Sequence, residues 1–194
     1  MISCFAIEMN HDRSIRMITH NDNKIVAIAS GKGGVGKTWF SITLAHLLAR
    51  SGRRILLFDG DIGLANVDVQ LGLTAKHDIS NAINGQKTLK EICHSYTEGG
   101  FDIIAGRSGS ATLANLGQEQ LQSLGDQLID LKNEYDYILV DCGAGVESYV
   151  QYLSSLGGRC IVVLTDEPTS LTDAYAFIKI LHQNHPEITI DIVV

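Results

Sequence analysis

The sequence has few cysteines and no long apolar run, and each shortage excludes a class of protein. Four of its 194 residues are cysteines, scattered without a C-x-x-C spacing, which predicts reduced thiols rather than a disulfide framework or a zinc site. No apolar run reaches the length needed to cross a membrane. The first ten residues lack the basic and apolar regions of a signal peptide. Together these features predict a cytoplasmic protein.

Positive charge and proline are also scarce. The chain has 15 basic and 22 acidic residues, with a formal net charge of −7. No global basic field therefore favours nucleic acid or an anionic membrane surface. Only two residues are proline, whereas 45% are hydrophobic, which predicts one globular domain with a substantial apolar core. The histidines show no spacing that indicates a metal site.

One stretch, S-G-K-G-G-V-G-K-T from Ser30 to Thr38, contains the complete phosphate-loop pattern G-x-x-x-x-G-K-[ST]. Such a loop turns backbone N–H groups toward a polyphosphate, and side chains would obstruct that approach. Lys37 is predicted to reach the β- and γ-phosphates, and the Thr38 hydroxyl to bind Mg²⁺. An apolar run precedes the loop and a helical pattern (Thr38 to Arg50) follows, as the motif requires. The predicted nucleotide-binding residues are Gly31, Lys32, Gly33, Gly34, Val35, Gly36, Lys37 and Thr38.

Apolar runs alternate with helical patterns along the rest of the chain. Six runs are nearly continuous in Ile, Val and Leu, as expected of parallel strands covered on both faces. They predict an α/β fold: a doubly wound, mostly parallel sheet with helices on both faces and a ligand at the C-terminal ends of the strands. Residues 1–23 lack clean periodicity and are predicted to be a flexible extension of a domain spanning 24–194. The runs are 24–30, 53–59, 101–106, 135–141, 159–165 and 188–194.

Acidic residues end two of these runs. Asp59 and Asp61 (F-D-G-D) lie on one side of an extended chain. Their like charges are costly unless a cation or water lies between them, although an Asp-Gly turn is the alternative interpretation. Asp141 ends Y-I-L-V-D, the Walker B form in which an aspartate holds Mg²⁺ through water. The segment C-G-A-G (Cys142 to Gly145) follows and is a candidate switch II, whose glycines would let the backbone move with the γ-phosphate. Cys142 itself is interpreted as a small buried side chain.

Taken together, these motifs resemble the MinD/ParA family of deviant Walker A ATPases, within the SIMIBI class of P-loop NTPases. The two lysines of G-K-G-G-V-G-K-T are the distinguishing feature. The resemblance implies that Lys32 crosses a nucleotide-sandwich dimer to the partner's ATP, as an arginine finger does; the alternative is a solvated charge. It also implies that Asp61 orients the attacking water and that Asp59 assists the Mg²⁺ hydration shell. The expected catalytic residues are Lys32, Lys37 and Asp61, and the expected metal-site residues are Thr38, Asp141 and Asp59, the aspartates acting through water.

A third block, E-P-T-S-L-T-D-A-Y-A-F-I-K from Glu167 to Lys179, is similar to the FlhG/FleN (YlxH) branch of that family, which governs flagellar number and placement. Residues 64–73 and 105–116 look like the same branch. The resemblance covers Lys24 to Val194. It implies ATP and Mg²⁺ as cofactors, a homodimer that closes on ATP and reopens after slow hydrolysis, and protein partners in the flagellar or positioning machinery.

Three departures limit what the resemblance carries over. Family members continue past Val194 into an adenine-reading loop and a C-terminal amphipathic helix. The chain is therefore expected to be truncated, with any peripheral contact at the inner membrane made by a segment that it does not contain. The segment that partners the flagellar GTPase FlhF is not evident, His11 to Arg16 being at most a remnant. Trp39 stands where a small or polar residue is usual and is interpreted as helix packing.

Several alternatives stay open. A partition or cell-division positioning ATPase of the ParA type would need a basic DNA-binding face, which the acidic balance disfavours. An iron–sulfur carrier of the nitrogenase-iron-protein group would need cysteines that meet across a dimer axis, and only Cys142 is suggestive. A nucleotide-sensing protein without turnover is a third alternative. GTP is disfavoured because no N-K-x-D motif occurs.

Overall fold

The computed structural model describes residues 24–61, 65–106 and 116–194. Within these ranges lie seven strands and seven helices. The strands are β1 (Ile25–Ser30), β2 (Ile55–Gly60), β3 (His94–Tyr96), β4 (Phe101–Ile104), β5 (Tyr137–Ala144), β6 (Arg159–Val163) and β7 (Thr189–Val193). The helices are α1 (Lys37–Arg50), α2 (Val67–Gln70), α3 (Ile79–Ile83), α4 (Leu89–Ile92), α5 (Gln118–Leu131), α6 (Ser148–Ser155) and α7 (Pro168–Asn184). The predicted N-terminal extension, and most of the branch-like segment 105–116, lie outside the described residues.

The strands form one sheet in the order β3-β4-β2-β5-β1-β6-β7. Every pairing is parallel except that of β3 with β4. The predicted mostly parallel, doubly wound α/β fold is thus confirmed. The antiparallel edge strand β3 was not predicted, because three partly exposed residues carry no periodic signal.

Alternation along the strands divides the apolar core between the two faces of the sheet. Ala27 and Leu56 pack in one cluster with buried residues of α3 to α7. Their neighbours Val26 and Leu57 pack in the other cluster with α1. Because both faces are covered by helices, the strands are apolar at consecutive positions, which explains the continuous runs in the sequence.

Buried apolar residues repeat at helical spacing in α5 and α7. In α5 the four leucines at 3–4–3 spacing are all buried, and in α7 Ala174, Phe177 and Leu181 face the core. Helices α2, α3 and α4 are four or five residues long, too short to produce a recognisable period. In the described part of the chain, no helix has the length and apolar character needed to cross a membrane.

The strand order brings three carboxyl ends together. Strand β5 lies between β1 and β2, and in this register Asp141 of β5 is the Cα partner of both Ile28 and Asp59. The chain leaves β1 for β2 through α1 and later crosses to β6 on the other side of β1. This is the topological switch point at which ligands bind in open α/β sheets.

Candidate functional site

The phosphate loop is formed by backbone conformations and close contacts that require glycine. Gly34 and Gly36 have positive φ angles of 79° and 94°, a region that other residues rarely adopt. The Gly36 carbonyl accepts a hydrogen bond from the Phe40 N–H at 2.9 Å, which begins α1. A side-chain carbon at Gly31 would overlap the backbone of Asp173. The loop is therefore held between the start of α1 and the first turns of α7.

The open side of the loop offers donors to an anion. Side-chain carbons added at Gly33, Gly34 or Gly36 would meet no described atom within 4 Å. Helix α1 has neither a capping side chain at Gly36 nor an acidic residue in its first turn. Its first N–H groups and the positive end of its dipole are thus available to a phosphate. Val35 packs below the loop and Thr38 is partly buried at the helix start.

Lys37 and Asp141 form a buried ion pair beneath the loop. The Lys37 Nζ donates to Asp141 Oδ1 at 3.0 Å, and the side chains are 7% and 1% exposed. The hydroxyl of Ser41, one helical turn after Lys37, donates to the same oxygen at 3.0 Å. One carboxylate oxygen therefore receives two donors in an environment where charge is poorly screened.

The other oxygen of Asp141 is the unusual atom of the site. Asp141 Oδ2 is buried and has no hydrogen-bond partner among the described residues. A buried carboxylate oxygen without a donor is costly, and such atoms in native structures often face a water or an ion. A hydrated Mg²⁺ would supply water donors at this position, as the Walker B prediction requires. The arrangement of Asp141 therefore fits the cofactor.

Asp59 is a second buried carboxylate beside Asp141. Burial raises the pKa of the Asp59 carboxyl to about 7; a hydrogen bond from the Val67 N–H opposes this rise and the negative charge of Asp141 adds to it. Its Oδ2 accepts from the N–H groups of Asn66 and Val67, each at 3.1 Å. A divalent cation near this pair would favour both ionised forms. Asp59 thus fits the predicted metal site and also holds the start of α2, a role that the sequence did not indicate.

Asp61 lies one residue beyond β2 at the same sheet edge. Its N–H donates to Asp59 Oδ1 at 3.3 Å, and the residue is partly exposed. Gly60 is the Cα partner of Cys142. The next residue, Asp61, therefore follows β2 at the level of Gly143 in the neighbouring strand β5. The structure therefore brings Asp59, Asp61 and Asp141 to one edge, whereas residues 62–64, which follow Asp61, lie outside the described ranges.

Lys32 has partners on α7 of its own chain. Its Nζ donates to Glu167 Oε2 at 3.0 Å and to Thr169 Oγ1 at 2.9 Å. The side chains of Lys32 and Glu167 are 38% and 64% exposed. Ion pairs this exposed typically contribute about 0–1 kcal/mol. The contact can therefore be given up at little cost.

Sequence reasoning missed three of these partners. Ser41 was detectable in principle, since it is a polar residue on the buried face of α1 that also holds Lys37, Ala45 and Leu48. Glu167 and Thr169 carry no comparable signal. They belong to the branch-like block, but no local pattern connects them with a lysine 135 or 137 residues earlier.

Two single-residue interpretations have different outcomes. Cys142 is fully buried, its Sγ lies 3.7 Å from the Ser154 hydroxyl, and burial raises its pKa to about 12. Its interpretation as a small buried side chain is confirmed. The interpretation of Trp39 as helix packing is wrong, because its side chain is 67% exposed. Trp39 is two residues from Lys37, which places it on the opposite side of α1 from the buried face.

Comparison with known proteins gives a consistent family assignment. The protein-family model described as "AAA domain" matches residues 23–193. The antiactivator FleN of Pseudomonas aeruginosa is 40% identical over 162 residues, which are 84% of this chain and 58% of the relative. The flagellum site-determining protein YlxH of Helicobacter pylori is 40% identical over 171 residues, 86% of this chain and 56% of the relative. The chain thus spans little more than half the length of these curated relatives.

The fold has a close counterpart among solved structures. The septum site-determining protein MinD of Pyrococcus horikoshii, solved in complex with Mg-ADP, superposes with a TM-score of 0.76 at 27% identity. The match covers 86% of this chain and 67% of that one. A domain match over nearly the whole described core, two relatives at 40% identity and a MinD-like fold agree with the paired lysines of the phosphate loop, and the chain belongs to the MinD/ParA family of P-loop ATPases.

Proposed function

We propose that this chain is the nucleotide-binding core of an ATPase that dimerises on ATP, hydrolyses it slowly and thereby regulates flagellar number or placement. The observation that carries the proposal is the buried Lys37–Asp141 pair under the phosphate loop. A lysine and an aspartate with one oxygen lacking a described donor provide a cation for phosphate and an acceptor for metal-bound water.

Mg²⁺-ATP is the proposed cofactor complex. The N–H groups of the loop and of the α1 N-terminus would hold the β- and γ-phosphates. Lys37 would turn from Asp141 to those phosphates, and Thr38 would coordinate the metal. Asp141 and Asp59 would hold its water ligands. When bound, Mg²⁺ neutralises the charge that develops on the phosphates during transfer. The MinD structure solved with Mg-ADP supports this assignment by similarity of fold.

Asp61 is the proposed catalytic carboxylate. It orients a water in line with the γ-phosphorus and accepts a proton as the new P–O bond forms. The bond from the γ-phosphorus to the bridging oxygen breaks, and ADP and inorganic phosphate are released. The position of Asp61 at the carboxyl edge, partly exposed beside two buried carboxylates, supports this role.

Dimerisation gives Lys32 its proposed function. In the single chain its ammonium group is held by Glu167 and Thr169. In the ATP-bound dimer it would leave them and contact the partner's nucleotide, where a cation stabilises the transferring phosphoryl group. The exposed setting of the pair supports the exchange, since little stability is lost when it breaks.

Two relatives support the proposed biological role, an antiactivator and a flagellum site-determining protein. We place this protein in the same process, as a cytoplasmic switch with partners in the flagellar or positioning machinery. The iron–sulfur alternative is disfavoured because Cys142 is buried rather than presented at a surface.

Two measurements test the proposed ATPase activity. Calorimetric titration should detect Mg²⁺-ATP binding, and a phosphate-release assay should detect slow turnover. The variant Lys90→Ala should bind and hydrolyse ATP like the parent, because it removes only an exposed lysine paired with Glu134. Binding without any phosphate release would instead support a nucleotide sensor.

The flagellar role is tested by deleting the gene in the source organism and counting flagella per cell. An unchanged count would contradict it.

A further inference from the structure

Tyr149, in the first turn of α6, lies at the edge of the nucleotide site although no sequence motif includes it. The residue is partly buried and packs against the core cluster that α3 to α7 form with the sheet. A side-chain carbon added at Gly143 would lie 2.6 Å from the Tyr149 hydroxyl oxygen and 3.4 Å from Cζ. The polar end of the phenol therefore fills the space that any other residue at position 143 would occupy.

Gly143 is also the position beside which Asp61 emerges. Strands β2 and β5 pair in parallel with Asp59 opposite Asp141 and Gly60 opposite Cys142. Continuing this register by one residue puts Asp61 alongside Gly143, and so next to the hydroxyl that covers it.

The electrostatics of Tyr149 agree with this placement. The pKa of Tyr149 is raised to about 12, chiefly by burial, and then by the negative charges of Asp61 and Glu147. Asp61 contributes the larger of these two charge effects. The phenol is therefore neutral near neutral pH and keeps its proton available for donation.

We propose that Tyr149 is a positioning residue for ATP hydrolysis: with ATP bound, its hydroxyl donates a hydrogen bond to the Asp61 carboxylate and so directs the other carboxylate oxygen toward the attacking water. The inference rests on the proposed function, in which Asp61 orients that water. A donor on one carboxylate oxygen limits the rotamers that the side chain can adopt.

The chain offers a matched control on the same helix. Tyr152 is likewise a partly buried tyrosine of α6, but its hydroxyl lies against Gly125 of α5. Burial raises its pKa as well, and the charge that adds to the effect is that of Asp126 rather than Asp61. Tyr152→Phe therefore removes a comparable hydroxyl from the same helix, away from the nucleotide site.

The first experiment compares ATP hydrolysis by Tyr149→Phe and Tyr152→Phe after circular dichroism shows that both fold. Tyr149→Phe should lower kcat about tenfold or more, the size expected for one hydrogen bond to a charged group. Its KM and ADP affinity should stay unchanged, and Tyr152→Phe should match the parent. In an Asp61→Asn background, Tyr149→Phe should add little further loss, because both changes remove one function. Equal kcat values for the two phenylalanine variants, or additive losses in the double variant, would overturn the proposal.

A second readout does not depend on turnover. With a non-hydrolysable ATP analogue bound, the ¹³C resonance of the Asp61 carboxyl carbon, assigned by its loss in Asp61→Asn, should shift in Tyr149→Phe and not in Tyr152→Phe. An unmoved resonance would refute the hydrogen bond. If Asp61→Asn hydrolyses ATP at the parental rate, the proposed role of Asp61 fails instead, and the resonance still decides whether Tyr149 contacts it.

Discussion

The two lysines of the phosphate loop are five positions apart in the sequence and lie in opposite environments. Lys37 lies under the loop, 7% exposed and paired with the buried Asp141. Lys32 lies on the rim, 38% exposed and paired with the exposed Glu167. The nitrogen–oxygen distance is 3.0 Å in both pairs, so distance alone does not distinguish them.

Burial does distinguish them. Removing one partner of a buried pair leaves an uncompensated charge, at a cost of about 3–5 kcal/mol, whereas an exposed pair contributes about 0–1 kcal/mol. Lys37 is thus suited to a permanent role in its own site. Lys32 is suited to changing partners. Substitutions at the site can test this contrast, from the largest expected effect to the smallest.

Lys37→Ala should abolish ATP binding, because it removes the charge assigned to the β- and γ-phosphates. It should also lower the free energy of unfolding by about 3–5 kcal/mol, since Asp141 loses its cation. Calorimetry measures binding, and urea denaturation measures stability. The control Lys90→Ala should change neither by more than about 1 kcal/mol. Unchanged ATP affinity in a folded Lys37→Ala would contradict the phosphate-loop assignment.

Asp61→Ala should bind ATP and dimerise but hydrolyse about 100-fold more slowly or worse, the usual loss when a general base is removed. Asp141→Ala should instead weaken Mg²⁺-dependent binding. The comparison distinguishes the role of the partly exposed Asp61 from that of the buried Asp141. Single-turnover assays with radiolabelled ATP, alongside gel filtration, provide the measurement. Normal turnover by Asp61→Ala, or a loss of ATP binding like that of Asp141→Ala, would exclude the catalytic role.

Asp59 should make the nucleotide-free chain less stable as pH rises. Its pKa is raised from 3.8 to about 7 on folding, so between these values the folded chain holds a proton that the unfolded chain has released. Stability contributed by this group is therefore complete below about pH 4 and declines until about pH 7. The decline should not exceed about 4 kcal/mol. Urea denaturation at pH 5 and pH 8 should show a steeper decline in the parent than in Asp59→Asn; parallel declines would rule out Asp59 as the source.

Lys32→Ala should have the smallest effect on the single chain. Unfolding free energy should change by no more than about 1 kcal/mol, and ADP binding should persist. ATP-dependent dimerisation and turnover should nevertheless be lost, as measured by gel filtration and phosphate release. Glu167→Gln, which removes only the negative charge that pairs with Lys32 in the same chain, should leave dimerisation intact. Equal losses of ADP binding and dimerisation would mean that Lys32 acts on its own nucleotide.

Much of the fold could be predicted because its signals are local. Strands covered on both faces are continuous apolar runs, and buried helix faces repeat at a 3.6-residue period. The elements that were missed are short: β3 has three residues, and α2 to α4 have four or five. These elements depend on tertiary partners, as when β3 pairs with β4. At Trp39 the sequence predicted a contact that does not form: this large aromatic side chain on α1 was expected to pack and is exposed.

The sequence by itself determined the phosphate loop, because glycines that need positive φ, a lysine and a following helix are all specified within nine residues. It also determined that aspartates would end two of the apolar runs. Only the tertiary structure decided which groups meet. Lys37 reaches Asp141 across 104 positions and Lys32 reaches Glu167 across 135. These contacts arise because β5 inserts between β1 and β2 and because α7 returns to pack against Gly31. Such long-range pairing depends on strand order and register, which local patterns do not encode.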